Sequence, residues 1–198
     1  MVLLREAREE SDAGLVAECR KGDPSAFDEL VRRYKDRIYH VVYRFLGNHE
    51  DAQDVCQEVF VRAYRGIDGY RGRAKVYTWL YSIAANLARN RLRDGSRKGR
   101  NMGTSFEAIE EAAPGAVDRA KAESPRDAAV DAELQTLLQQ CLDELPEHYR
   151  MAFILRTVED MSYEQISEVM SCPPGTVKSR LNQARHLLRD RLAELNVL

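Results

Sequence analysis

The sequence predicts an all-α protein in which two small helical domains are joined by a flexible linker. Apolar residues recur at helical spacing up to about residue 93 and again beyond residue 131, and this period is the main sign of amphipathic helices. Between these regions the periodicity is lost, while glycines, prolines and acidic residues accumulate, a composition typical of linkers. We therefore predict a first domain at 1–94, an acidic linker at 95–130 and a second domain at 131–198.

The composition is that of an ordinary globular chain and argues against several classes of protein. Of the 198 residues, 44% are hydrophobic and 31% are charged, and there is no run of about eighteen apolar residues to span a membrane. The four cysteines lie far apart, which argues against a disulfide framework or a zinc site and fits a reducing cytoplasm. We expect no membrane insertion, no metal and no other cofactor. The cysteines are Cys19, Cys56, Cys141 and Cys172.

The net charge of −2 hides a strongly uneven distribution. Residues 71–100 carry nine basic side chains and one acidic, and residues 172–198 carry five basic and two acidic. The intervening residues 101–171 carry five basic and fifteen acidic side chains. Because salt screens exposed charges beyond about 8–10 Å, attraction to phosphate depends on local charge. The two basic segments are candidates for nucleic-acid binding, and the simpler alternative is two solvated helical faces.

The first domain is predicted to begin with a short helix and a long one. Ser11 or Asp12 is the expected cap of a helix that ends near residue 20, because short polar side chains favour the N-cap. Asp23 caps the next helix, and Gly47 is a natural stop for it. The apolar residues of this long helix are interpreted as core: Phe27, Leu30, Val31, Tyr34, Ile38, Val41, Val42 and Phe45.

A third helix is predicted at about 50–64, with an apolar inner stripe and a polar outer face. Clustered carboxylates can carry acid–base chemistry, but no His or Ser is placed to complete a catalytic site. Two interpretations stay open: a solvated face, which is the default for charged helical faces, or a face that docks a basic partner. The outer residues are Asp51, Asp54, Gln57, Glu58 and Arg62.

A basic loop at 67–75 precedes a helix at about 76–93, and together they combine aromatic and cationic residues. Rings and guanidinium planes stack on unpaired bases while cations follow the phosphate backbone. Trp79 is in phase with the apolar stripe and is interpreted first as core, whereas the loop and the arginine-bearing face favour DNA. Alternatively, the aromatic residues are core and the arginines face solvent. The candidate contacts are Tyr70, Arg71, Arg73, Lys75, Tyr77, Thr78, Trp79, Ser82, Asn86, Arg89 and Arg93.

The second domain ends in the pattern of a helix-turn-helix. Ser162 and Gln165 form a capping box, and Pro173 and Pro174 separate that helix from the next. A plain helical hairpin with a solvated face is the alternative. The preceding helix, at about 149–159, is predicted to turn four residues inward: Met151, Ile154, Leu155 and Val158. The outer face of the last helix carries side chains of the kinds that bond base edges and phosphates. They are Lys178, Ser179, Asn182, Gln183 and His186, flanked by Arg180 and Arg185.

Three groups of motifs follow the order found in one known family. Residues 51–60, DAQDVCQEVF, resemble its polymerase-binding helix, and residues 77–84, YTWLYSIA, followed by Asn86, resemble its promoter-melting segment. Four further segments resemble the part of the family that recognises the upstream promoter element: Leu145-Pro146-Glu147, Ser162–Ile166, Cys172-Pro173 and Gly175–Leu181. Together they resemble a bacterial extracytoplasmic-function (ECF, group four) sigma factor, the RNA polymerase subunit that recognises promoters.

The resemblance implies a protein without enzymatic activity that joins core polymerase to promoter DNA. The outer face of the 50–64 helix would dock on the clamp coiled coil of the largest subunit, with the flap as a further polymerase contact. The basic loop and the 78–93 face would capture flipped single-stranded bases of the downstream element. The 178–186 face would enter the major groove of the upstream element, and a cognate anti-sigma factor would sequester both domains.

Two positions depart from the family pattern. Val76 stands where Phe is usual, and Asn182-Gln183 stand where His-Arg or a similar pair is common, so base preferences do not transfer. The competing interpretation is a stand-alone helix-turn-helix regulator with an N-terminal dimerisation or sensor domain, which leaves the basic, aromatic 71–93 segment unexplained. A helical enzyme has no nucleophile–base pair, phosphate loop or metal motif in its support.

Overall fold

The structure is a computed structural model that describes residues 2–101 and 125–195, with side chains at 11–95 and 133–195. Within these ranges it has eight α-helices and no strand, which confirms the predicted all-α class. No helix in the same ranges is long and apolar enough to cross a membrane. The helices are α1 Val2–Arg20, α2 Pro24–Leu46, α3 His49–Gly66, α4 Val76–Asn101, α5 Pro125–Asp143, α6 Glu147–Thr157, α7 Tyr163–Met170 and α8 Pro174–Glu194.

Local signals set the limits of α2 and the start of α3. The Asp23 carboxylate accepts a hydrogen bond from the Ser25 amide at 2.9 Å, which caps α2 as predicted. Gly47 ends α2 with φ of 70°, a left-handed conformation that glycine adopts without steric penalty. The Asn48 side chain then caps α3 by accepting from the Asp51 amide at 2.9 Å.

The predicted start of the first helix is wrong. Helix α1 begins at Val2, so Asp12 lies in its middle and cannot be its N-cap. Asp12 is 1% exposed, and its carboxylate accepts hydrogen bonds from the Tyr34 hydroxyl and from Arg33, the latter at 2.9 Å. A buried carboxylate needs such partners because an isolated one carries a large desolvation penalty. Asp12 therefore joins α1 to α2 instead of starting a helix.

Helix α4 is longer than the sequence pattern indicates. It continues to Asn101, beyond the expected end near residue 93, and α5 begins at Pro125. Both helices thus extend into the predicted linker at 95–130, of which residues 102–124 lie outside the described part of the chain. The domain limits stay a prediction.

Helices α7 and α8 form the predicted helix-turn-helix. The Gln165 amide donates to Ser162 Oγ at 3.3 Å, and the Ser162 amide donates to Gln165 Oε1 at 2.9 Å, which completes the capping box. Ser171 ends α7 in a left-handed conformation with φ of 51°, and Pro174 opens α8. The side chains buried on α6, α7 and α8 include Met151, Ile154, Leu155, Ile166, Val169, Val177, Leu181 and Ala184.

The prediction that Val158 faces inward is wrong. Helix α6 ends at Thr157, and Val158 is its C-cap, the residue at which the chain leaves the helix. Val158 is 46% exposed, whereas the next residue, Glu159, is 7% exposed. The turn continues through Asp160, with φ of 50°, and Arg156 of α6 holds it through an ion pair with Asp160 at 3.0 Å.

The two groups of helices pack against each other. Helix α2 contacts α5 and α6, and α4 contacts α7, so buried apolar side chains from both groups form one continuous cluster. The two groups come close together at Gly47, where a Cβ atom would lie 2.9 Å from Asp143 Oδ2 of α5. Any larger residue at position 47 would have to displace that carboxylate.

Candidate nucleic-acid interface

The outer face of α8 is exposed to solvent because the opposite side of the helix is fully buried. Val177, Leu181 and Ala184 are each 0% exposed, and their spacing of four and three residues places them on one side of the helix. Of the residues predicted to contact the upstream element, Arg180 alone is half-buried. The others are exposed: Lys178, Ser179, Asn182, Gln183, Arg185 and His186.

Two contacts fix side chains along this face. Arg180 Nη1 donates to Cys172 Sγ at 3.5 Å, which ties the start of α8 to the preceding turn. Farther along, Arg189 Nη2 lies 2.6 Å from His186 Nδ1. The major groove of B-DNA admits an α-helix, and Asn, Gln and Arg side chains bond the edges of adenine and guanine there. The arrangement suits a helix that reads duplex DNA.

The start of α4 is largely buried. Tyr77 and Thr78 are 4% and 1% exposed, and Val76, Leu80 and Tyr81 are also buried. Because successive residues turn about 100° around a helix, these five cover about 200° of its circumference, and the half-buried Trp79 lies on the remaining side. Helix α4 packs against α2 and α3 of its own domain and against α7 of the second domain. The side chains of Tyr77 and Thr78, predicted to bind DNA, are inaccessible in this arrangement.

Farther along α4, the predicted DNA-binding face becomes accessible. Asn86 and Arg93 are exposed, and Ser82 and Arg89 are half-buried. The Arg89 guanidinium donates to a carbonyl of its own helix at 3.2 Å and bonds the Asn86 side chain. The Ser82 hydroxyl donates to the Thr78 carbonyl at 2.8 Å. The far end of α4 therefore carries amide and cationic groups at the surface, while its start does not.

The basic loop before α4 is ordered around two aromatic rings. The Tyr70 hydroxyl donates to the Ala74 carbonyl, and its ring centroid lies 5.0 Å from that of Trp79. Trp79 is half-buried and packs against the core, in keeping with its place on the apolar stripe. Burial raises the pKa of Tyr70. The same loop carries three exposed cations: Arg71, Arg73 and Lys75.

The outer face of α3 is tied to α4 by an ion-pair cluster that the sequence pattern does not reveal. Arg91 bonds Asp51 through Nε at 2.7 Å and Asp54 through Nη2 at 3.1 Å. The hydrogen bond to Asp51 is the main reason that the pKa of Arg91 is raised. Glu58 pairs with Arg62 at 2.7 Å within α3. Four of the five predicted docking residues thus already have partners in the chain.

A charged pair that sequence reasoning missed joins the two groups of helices. Arg37 of α2 forms an ion pair with Glu159, 122 residues away, so no local pattern relates them. Burial alone would lower the pKa of Arg37, but electrostatic interactions with Tyr81 and Glu159 outweigh the effect of burial, and the pKa is raised. Burial first, and then the charge of Glu159, hold the pKa of Tyr81 well above its usual value.

Arg150 makes a second connection that the sequence did not indicate. It is 6% exposed, and its Nη1 donates to the Phe45 carbonyl at 2.8 Å and to Asp143 at 3.0 Å. The Phe45 carbonyl lies at the end of α2, where a helix has unpaired acceptors and the negative end of its dipole. Burial lowers the pKa of Arg150 and raises that of Asp143. Nearby, Gln139 Nε2 donates to the Arg44 carbonyl at 3.1 Å.

Two protein-family models match the chain, one in each group of helices. Residues 30–98 match the model described as Sigma-70 region 2. Residues 135–188 match the model described as Sigma-70, region 4. The first match includes all of α3 and most of α4, and the second includes the helix-turn-helix.

Curated relatives match over nearly the whole chain. The chain is 40% identical over 187 residues to the RNA polymerase sigma-H factor of Pseudomonas aeruginosa, covering 94% of this chain and 96% of that protein. It is 37% identical over 180 residues to the ECF RNA polymerase sigma factor SigW of Bacillus subtilis, covering 91% and 96%. Both relatives are matched across both groups of helices.

Two solved structures share the fold. CnrH in complex with the cytosolic domain of CnrY has a TM-score of 0.69 at 22% identity, covering 93% of this chain and 98% of that chain. The sigma factor RpoE in complex with the anti-sigma factor NepR from Bartonella quintana has a TM-score of 0.64 at 23% identity, covering 84% and 96%.

Proposed function

The chain belongs to the ECF sigma factors of bacterial RNA polymerase, and we propose that its two helical domains divide polymerase docking, promoter melting and promoter reading between them. A sigma factor of this type binds core polymerase, recognises the −35 and −10 promoter elements and initiates transcription by melting DNA. It is a transcription initiation factor and not an enzyme. The stand-alone regulator is not favoured, because the family matches include the first domain as well as the helix-turn-helix.

Helix α8 would read the upstream element in the major groove. The observation that carries this proposal is the exposed outer face of α8 above a completely buried stripe. Lys178 and Ser179 lie in the N-terminal part of the helix, which is the part that a recognition helix turns to the bases. Asn182 and Gln183 would bond base edges bidentately, while Arg180, Arg185 and His186 would hold neighbouring phosphates or guanine.

The basic loop and α4 would capture unpaired bases of the downstream element. Stacking on aromatic rings and attraction of the backbone to cations bind single strands with little dependence on sequence. Tyr70 and Trp79 supply the rings, and Arg71, Arg73 and Lys75 supply the cations. A protein that binds only the melted state shifts the equilibrium toward it, so melting needs neither a catalytic residue nor ATP.

The outer face of α3 would dock on the clamp coiled coil of the largest polymerase subunit. Its acidic residues, Asp51, Asp54 and Glu58, suit a basic partner, and Gln57 and Arg62 add polar contacts. The flap of the polymerase would contact the second domain. A cognate anti-sigma factor would compete for these surfaces, a proposal supported by the similarity of the fold to a sigma factor in complex with its anti-sigma factor. The site of action would be the cytoplasm.

In vitro transcription tests the proposal directly. The purified chain is added to sigma-free bacterial core polymerase on a pool of randomised promoter templates, and the transcripts are sequenced. We expect discrete start sites downstream of a shared two-part element, and none with core polymerase alone. Absence of transcripts, combined with specific duplex binding by the chain alone, would instead establish a stand-alone regulator.

A further inference from the structure

Helix α1 lies outside both family matches. The match to Sigma-70 region 2 begins at residue 30, whereas α1 ends at residue 20. The described part of α1 is nevertheless held in place: Val16 is 3% exposed, and the buried Asp12 bonds Arg33 and Tyr34 of α2. The C-terminal end of α1 therefore has a fixed position beside α2.

The last residue of α1 reaches the start of the basic loop. Arg20 Nε donates to the Ile67 carbonyl at 3.2 Å, 47 residues away in sequence, and Nη2 donates to the Asp68 carbonyl at 3.4 Å. Both carbonyls belong to Ile67–Gly69, a single turn of 3₁₀ helix that follows α3. A helix end has carbonyls without intrahelical partners and carries the negative end of the helix dipole. The guanidinium of Arg20 is well suited to that position.

The same turn determines where Tyr70 lies. The Tyr70 amide donates to the Ile67 carbonyl at 3.2 Å, so one oxygen accepts from both Tyr70 and Arg20. The ring of Tyr70 in turn packs on that of Trp79, with 5.0 Å between centroids. Helix α1 also affects the Tyr70 hydroxyl: burial is the main cause of its raised pKa, Asp12 raises the pKa further and Arg20 lowers it. A shift of the turn would move the Tyr70 ring with it.

We propose that Arg20 is a positioning residue for strand capture, which holds the 67–69 turn in the place that packs Tyr70 on Trp79 and orders the basic loop. This inference rests on the proposed function, because it concerns the loop to which the capture of unpaired bases is assigned. Arg20 acts through the loop and need not touch DNA, since its guanidinium is bonded to the two carbonyls.

An anchor of this kind matters because the loop itself is conformationally free. It contains two glycines, Gly69 and Gly72, and Gly72 has φ of 68°. Fixing such a segment costs conformational entropy, and that cost is subtracted from affinity when it has to be met during binding. Arg20 orders the loop before DNA arrives. The cations Arg71, Arg73 and Lys75 stay exposed, so the anchor leaves the binding surface open.

The full-length chain carries its own probe for this anchor. Trp79 is the only tryptophan in the sequence, so its fluorescence reports on the packing of Tyr70 and the loop. Arg20→Gln removes the charge and shortens the side chain. We expect acrylamide to quench Trp79 more efficiently in this variant, with the helical circular dichroism spectrum unchanged. Affinity for a fluorescent pool of random single-stranded DNA should fall by about fivefold, within the effect of losing charge-assisted hydrogen bonds.

The matched control is Lys21→Gln, which removes the same charge from the next residue. Lys21 bonds Glu18 at 2.8 Å near the end of α1 and is largely exposed. This variant should keep wild-type quenching and wild-type affinity for single strands. An equal loss of affinity in Lys21→Gln would attribute the effect to overall charge and overturn the positioning role.

The two readouts separate the anchor from the function it serves. Unchanged quenching in Arg20→Gln would overturn the anchor, and increased quenching with unchanged affinity would overturn its role in capture. A wild-type chain that binds no single-stranded DNA would contradict the proposed function and the role in capture with it. Because the quenching measurement needs no DNA, that failure is distinguishable from a failure of the anchor.

Discussion

The outer face of α8 and the start of α4 are both assigned to promoter DNA, but only one of them is open to solvent. In α8 the exposed face follows from the helix's own buried stripe of Val177, Leu181 and Ala184. In α4, Tyr77 and Thr78 are buried in a helix that packs against α2, α3 and α7. The first surface is defined by one helix, whereas the second depends on what packs around it.

The difference has a functional logic. Duplex reading depends on base edges in the groove, so an exposed reader is selective by itself. Stacking and backbone attraction accept nearly any unpaired nucleic acid, including RNA. A surface of the second kind, exposed in a free chain, would be occupied by the wrong ligands. The burial of Tyr77 and Thr78 keeps these two side chains away from such ligands.

The largest effect is expected from truncating a buried residue beneath the outer face of α8. Leu181→Ala should lower the free energy of unfolding by about 2–5 kcal/mol, because it leaves a cavity under the recognition face. Urea unfolding followed by circular dichroism measures this loss, and duplex binding should fall with it. Leu187→Ala on the same helix is the control, since Leu187 is 41% exposed and should change stability by no more than about 0.5 kcal/mol. Equal losses would contradict a locally organised α8.

The next prediction concerns the buried hydroxyl at the start of α4. Thr78→Val removes the orphaned Oγ1 and should raise the free energy of unfolding by about 1–3 kcal/mol. The control for stability is Ser82→Ala, whose hydroxyl is already satisfied by the Thr78 carbonyl at 2.8 Å. A destabilised Thr78→Val would show that the hydroxyl has a partner in solution.

The elements that the sequence predicted well are those set by neighbouring residues. The Asp23 cap, the Gly47 stop and the Ser162–Gln165 capping box all lie where their local chemistry placed them. The exposed outer face of α8 follows from the helical period in the same way. These hydrogen bonds join residues that are only a few positions apart, so a single sequence is enough to predict them.

The failures share a different cause. Asp12 was expected at an N-cap and Val158 on an inner stripe, yet Asp12 is buried mid-helix and Glu159 takes the inward place. Asp12 finds Tyr34 and Arg33, and Glu159 finds Arg37, all on α2. Local propensity places Asp at caps and charge at the surface, and it carries no information on a partner 122 residues away. The ion pairs between domains were therefore beyond the reach of the pattern.

A smaller effect is expected from the base-reading residues themselves. Asn182→Ala should reduce affinity for the upstream element by about tenfold, the lower part of the range for a bidentate base contact. Binding to single-stranded DNA should be unchanged, since Asn182 lies on α8 and not near α4. Fluorescence anisotropy with matched duplex and single-stranded probes measures both. Glu194→Gln, at the far end of α8, is the control for helix charge. An equal loss on both probes would remove the distinction between the two surfaces.

The smallest effect concerns Arg91, which joins α3 to the exposed end of α4. Arg91→Gln releases Asp51 and Asp54 from an internal ion pair that is largely solvent-exposed. Exposed pairs contribute little, so affinity for core polymerase should change by less than about fivefold. Binding should become tighter, because the polymerase no longer has to displace Arg91 from Asp51 and Asp54. Binding to labelled core polymerase at low and high salt measures this change, which should disappear at high salt.

Arg62→Gln is the matched control, because Arg62 pairs with Glu58 inside α3 and does not reach α4. It removes one cation from the same face without releasing the two aspartates. Weaker binding by Arg91→Gln would show that Arg91 positions the carboxylates for docking instead of competing with it. In that case α4 would support polymerase docking as well as strand capture.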